Sequence, residues 1–273
     1  MGRKVGAFEK RIHEVDLIRG ILILIVILDH LFYFLKTNNL AWYDQTGAEF
    51  FNGIYRVTNF YWTSQTREVI RQIVLFFFVF ISGVSCSFSR NNWKRAAKMI
   101  VVWGALSVVT NIGDRLFNGG IGGWIIDFNV IGVLAWSVLI YCFVQNCSWK
   151  GLTAAGLICF LITVLVIYPI PASIRNQIYL PSMWAPASLV RPAIEGAIGP
   201  KGDWMPLFPY ICYFFMGAVA ARFIYKDKKS LFKRHEWERW ICFTGRNTIW
   251  VYLLHEPILL GIFALLGLII VGA

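Results

Sequence analysis

Apolar residues gather into runs of about twenty, at roughly 17–35, 70–89, 97–112, 123–145, 151–170, 207–225 and 248–270. A hydrocarbon core about 30 Å thick needs about 20 helical residues to cross it, and only helices or closed barrels satisfy their backbone there. The pattern predicts an all-α polytopic transmembrane helix bundle of about seven spans. The third run is short, and polar residues interrupt the start of the fourth. Two longer polar-aromatic segments, 36–69 and 171–206, separate the runs. Their Trp and Tyr residues predict an interfacial aromatic belt with short surface helices, or a roof over a cavity. With no internal repeat and no low-complexity linker, residues 1–273 are expected to form a single integral-membrane domain.

Composition agrees with this pattern. The chain is 58% hydrophobic and only 15% charged, against about 25% charged in soluble domains, and its mean hydropathy is +0.60. The net charge of +11 raises the question of nucleic acid. Its distribution answers it: with a cytoplasmic N-terminus, eighteen of the 26 Lys and Arg fall in inner segments. That is the positive-inside pattern, which accounts for the charge without a nucleic-acid partner and makes the lipid bilayer the first partner. The run from Leu17 to Leu35 exceeds a signal-peptide apolar region and is read as an uncleaved first span. None of the six cysteines lies in an outer segment, so no disulfide framework is expected, and no Cys/His spacing predicts a metal site.

Ionisable residues inside spans are costly, so they are the first place to look for chemistry. The first span holds Asp16, Arg19, Asp29 and His30. Arg19 and Asp16 project about 20° and 40° from the line of His30, so one stripe carries acid, base and imidazole. Asp29 points about 100° away from His30 and is poorly placed to orient its ring. Tyr252-Leu253-Leu254-His255-Glu256-Pro257 forms a second half-site in the last span, where Pro257 kinks the helix and frees a carbonyl. The small residues of 81–89 predict a close helix crossing. Arg90, Lys94, Arg95 and Lys98 form a cytoplasmic basic cluster suited to anionic lipid or to the phosphates of a nucleotide-like donor.

These stretches resemble a known family. Asp16-Leu17-Ile18-Arg19-Gly20 with His30 is similar to the first-span signature of the membrane acyltransferase superfamily. ISGVSCSFSRNNWKR (81–95), FNVIGVLAWS (128–137), DWMPLFPY (203–210) followed by FFMGAVAAR, and FTGRNTIWVYLLHEP (243–257) resemble the bacterial branch related to heparan-alpha-glucosaminide N-acetyltransferase. The pattern departs at Asn129 and Gly132, where that branch shows glycine and histidine. The resemblance implies transfer of an acyl group from cytoplasmic acyl-CoA (acetyl-CoA the simplest) to a sugar amine or hydroxyl across the membrane. It implies His30, Arg19, Asp16 and His255 as catalytic positions and Arg90, Lys94, Arg95 and Lys98 as donor-facing, with no metal. Asp203 and Tyr252 are the candidate acceptor contacts. The expected setting is a bacterial cytoplasmic membrane, and a homo-oligomer is compatible with it. The rival reading is a proton-coupled transporter or exporter that uses Asp29, His30, His255 and Glu256 as a relay. A third is a non-catalytic partner in an envelope glycan-export machine.

Overall fold

The structure is a computed structural model that describes residues 12–117, 126, 128–167, 205, 207–227, 229–233 and 235–272. The only regular secondary structure among the described residues is helical, with turns and short irregular links between helices and no strand. In chain order the helices are α1 (His13–Thr46), α2 (Glu49–Trp62), α3 (Gln65–Cys86), α4 (Asn92–Phe117), α5 (Val130–Val144), α6 (Trp149–Leu161), α7 (Tyr210–Ile224), α8 (Arg239–Arg246) and α9 (Thr248–Val271). A π-helical turn, Ile162–Ile167, extends α6. Four of these, α1, α3, α4 and α9, are long and apolar enough to cross a membrane, while α5, α6 and α7 are shorter apolar helices. Each of the seven apolar runs therefore meets one helix. The chain divides into two compact units, Met1–Phe78 with Lys229–Ala273, and Val79–Lys228.

In the first unit α1 has 34 residues, about 50 Å at 1.5 Å per residue. The apolar run stops near Leu35, yet the helix continues to Thr46. The polar residues beyond Leu35 stay helical because they bond back one turn. Thr37, Asn38, Asn39 and Thr46 donate to the carbonyls of Tyr33, Phe34, Leu35 and Trp42. Gly47, at φ 67°, ends the helix, and its amide donates to the Tyr43 carbonyl. Such a left-handed terminus is cheap only for glycine. α2 then packs along α1 with Thr58 buried and Phe50, Val57 and Phe60 exposed, the surface helix expected of segment 36–69.

α1 also packs on α8 and α9. The α1–α8 contact is backbone to backbone. A Cβ on Gly20 would strike the Ile241 carbonyl, and one on Gly245 would strike the Asp16 carbonyl. Trp42, Leu259 and Phe263 form a buried cluster that Leu31, Phe34 and Phe51 extend. Helices in lipid associate through such close packing because lipid tails remove the hydrophobic incentive.

In the second unit the small residues of 81–89 form the close crossing expected of them. Gly83 sits against the Phe214 carbonyl and Gly217 against the Phe80 carbonyl. Tyr141, Phe214, Phe215 and Ile211 are among its fully buried side chains. Two boundaries differ from the sequence pattern. α5 begins at Val130, not near 123, because the Asn129 side chain accepts from the amides of Ile131 and Gly132 and caps it. Gly132 fits beneath Trp103 and Phe128, whose atoms lie 3.0 Å from where a Cβ would stand. α4 begins at Asn92, five residues before its apolar run, with the Lys94 amide bonded to Asn91 Oδ1. Lys94, Arg95 and Lys98 thus lie in the first turns of a helix and not on a loop.

Candidate active site

The tertiary contact that matters most joins α1 to α9. His255 is buried on α9 one turn after Tyr252. Its Nδ1 lies 2.6 Å from the Tyr252 carbonyl oxygen. A carbonyl only accepts, so Nδ1 carries the proton and neutral His255 offers a lone pair on Nε2. That Nε2 lies 3.3 Å from Nδ1 of His30, and Glu256 Oε1 lies 2.9 Å from the same His30 atom. Both neighbours are acceptors, so His30 Nδ1 donates between them. Neutral His30 then has its lone pair on Nε2, the protonation pattern of a carboxylate-oriented general base. The two rings meet edge to face, with centroids 4.8 Å apart.

Tyr252 contributes its backbone carbonyl, and its ring lies 5.5 Å from that of His255. The carbonyl deprived of an amide by Pro257 is that of Leu253, four residues earlier, whereas His255 uses the neighbouring one. Ile23, on the His30 stripe, is fully buried, as a face turned toward protein requires.

Asp29 is engaged elsewhere. Arg67 Nε and Nη2 donate to its two oxygens at 2.8 and 2.7 Å, and the Tyr61 hydroxyl donates at 2.9 Å. The Arg67 guanidinium also lies 3.6 Å over the Trp62 ring. Burial and the bond to the Asp29 carboxylate push the Tyr61 hydroxyl up to about 12. This clamp fastens the end of α2 and the start of α3 to α1 beside His30. Glu256 as the partner of His30, and Arg67 as the partner of Asp29, are the two contributors that sequence reasoning left without these roles. Glu256 had a signal in its adjacency to His255; Arg67, 38 residues from its partner, had none.

Asp16 and Arg19 lie apart from this cluster. They are fourteen and eleven residues before His30, about 21 and 16 Å along the helix axis. Asp16 faces α8, with Arg246 Nε 3.9 Å from its carboxylate. Nearby, Glu14 accepts from the Ser230 hydroxyl and the Leu231 amide, both at 2.7 Å. In the other unit Arg90, Lys94 and Lys98 are exposed, while Arg95 is half-buried and donates to Ser82 Oγ at 3.3 Å. Asp203 and segment 171–204, with Tyr179, Trp184 and Trp204, lie outside the described residues, as do Arg3, Lys4, Lys10 and Arg11.

Residues 11–257 match the family described as heparan-alpha-glucosaminide N-acetyltransferase, catalytic. The chain belongs to that family. The match covers His30, His255 and Glu256 and the close crossing at Gly83. It places the chain among membrane acetyltransferase-type proteins. No curated protein and no solved structure matches it. Among the charged and polar groups described above, the His30 imidazole is the one with a carboxylate, Glu256, 2.9 Å from its Nδ1 and a second imidazole, His255, 3.3 Å from it.

Proposed function

We propose that the protein moves an acetyl or other acyl group from cytoplasmic acyl-CoA to an amine or hydroxyl of an extracytoplasmic sugar or glycan. The observation that carries this reading is His30 Nδ1 held between Glu256 and His255 on facing transmembrane helices. His30 Nε2 takes the proton of the acceptor as its nitrogen or oxygen attacks the thioester carbonyl. The new C–N or C–O bond forms, the C–S bond breaks, and the proton passes from His30 to the departing thiolate. Glu256 stabilises the imidazolium formed on the way, and His255 fixes the ring.

The remaining assignments belong to the same proposal. The N-terminus is cytoplasmic, residues 1–273 act as one domain, and the setting is a bacterial cytoplasmic membrane. Arg90, Lys94 and Lys98 meet the phosphates of the donor, with Arg95 holding α4 to α3 through Ser82. Asp16 and Arg19 serve the inner end of the path, where the donor arrives, and Asp203 and Tyr252 the acceptor side. No metal takes part in the transfer.

Calorimetric titration of acetyl-CoA into detergent-purified protein tests the reading, with Lys94→Ala/Lys98→Ala beside the wild type. These two side chains are exposed, so their loss spares the packing that Arg95→Ala would disturb. Saturable binding that the variant weakens supports the proposal, together with a His30→Ala variant that binds acetyl-CoA yet transfers nothing. Folded protein that binds no acetyl-CoA overturns it and leaves the transporter reading.

A further inference from the structure

His30, His255 and Glu256 each offer one ligand atom, and these atoms form a triangle within 4.8 Å of one another, the only such group among the described residues. Two edges of that triangle are 2.9 and 3.3 Å. Ligand atoms bonded at about 2.0–2.1 Å to a tetrahedral zinc ion stand about 3.3 Å apart. Two imidazoles on such an ion have ring centres about 5 Å apart, and the His30 and His255 centroids are 4.8 Å apart. An independent feature points the same way. The Tyr252 carbonyl holds the far nitrogen of His255 at 2.6 Å, the outer-shell bond that aims a histidine lone pair at a metal.

We propose that His30, His255 and Glu256 bind a borderline divalent cation of the Zn2+ or Co2+ type, and that this ion switches the enzyme off. Two imidazoles and one carboxylate select such ions over Mg2+ and Ca2+, which prefer all-oxygen sites. To coordinate, His30 must offer the Nδ1 lone pair, so the proton of the neutral ring moves from Nδ1 to Nε2. The nitrogen that accepts the acceptor's proton then becomes an N–H donor and cannot act as base. The ion is therefore an inhibitor, not a cofactor, and this regulatory half rests on the acyl transfer proposed above.

The site is read without reference to activity by titrating Co2+ into untagged full-length protein and following the visible absorption of tetrahedral cobalt. The chain has four histidines, and His13→Ala/His235→Ala removes the two outside the cluster and should leave the band intact. The band should vanish in His30→Ala and in His255→Ala. It should weaken by at least about a hundredfold in Glu256→Gln, a near-isosteric change that spares the fold. Equimolar Zn2+ should displace cobalt and cut acetyl transfer to glucosamine at least tenfold, with EDTA restoring it. A wild type without the band, or a band surviving in His30→Ala/His255→Ala, overturns the site. Bound zinc that leaves turnover unchanged overturns the switch. A cobalt band in protein that transfers no acetyl group when metal-free supports the site and counts against the acyltransferase reading alone.

Discussion

Glu256→Gln is the sharpest probe of the base. The change keeps the shape of the side chain and removes its charge at an oxygen 2.9 Å from His30 Nδ1. The proposed reaction places a positive charge on the His30 ring, whose Nδ1 lies 2.9 Å from Glu256 Oε1, so the charge centres stand about 4 Å apart. At an effective dielectric of about 20, opposite charges at that distance attract by about 4 kcal/mol. The Glu256 side chain keeps 39% of its exposure, so screening reduces the useful part to about 2 kcal/mol. At 1.36 kcal/mol per decade, that predicts a kcat about thirtyfold lower. Glu256→Asp restores the charge at a longer reach and should recover part of the loss. The assay is release of the free coenzyme A thiol from acetyl-CoA with glucosamine as acceptor, run at saturating donor. Circular dichroism should show the same helix content for all three proteins. An unchanged kcat for Glu256→Gln, or a loss confined to KM, would refute the assignment of Glu256 to the imidazolium.

Other perturbations test the scaffold around this cluster. Gly20→Ala drives a methyl group into the Ile241 carbonyl, and thermal unfolding in detergent should show about 1–3 kcal/mol of lost stability; Gly104→Ala, with open space around it, should not lower stability. Arg67→Lys keeps the charge beside Asp29 but loses the two-pronged bond and the stacking on Trp62. Its melting temperature should fall nearly as far as that of Arg67→Ala, because a lysine does not reproduce that geometry. Tyr61 is raised from 10.0 to about 12 by burial and by Asp29. A raised folded-state value means that its contribution is complete below pH 10 and disappears as pH climbs through about 12. Alkaline unfolding of the wild type should therefore steepen across that window, and Tyr61→Phe should flatten it.

The helices themselves were legible because each depends on local information. A run of about twenty apolar residues meets a hydrocarbon core of fixed thickness, and backbone satisfaction leaves only a helix. The same reasoning marks His30 and His255, since an imidazole in a span needs a local reason to be there. Helix ends were less legible, because small polar side chains decide them. Thr37 to Thr46 carry α1 onward by bonding back to its own carbonyls, and Asn129 delays the start of α5. What only the tertiary structure decided is the pairing. Angles along α1 place Asp16, Arg19 and His30 on one stripe, but an azimuth carries no axial distance, and Asp16 settles against Arg246 far below His30. Asp29 stands next to His30 in sequence and yet belongs to Arg67 and Tyr61. Glu256, 226 positions away, is the carboxylate that reaches the ring. The register of α9 against α1 sets that choice, through contacts between residues that no local pattern relates.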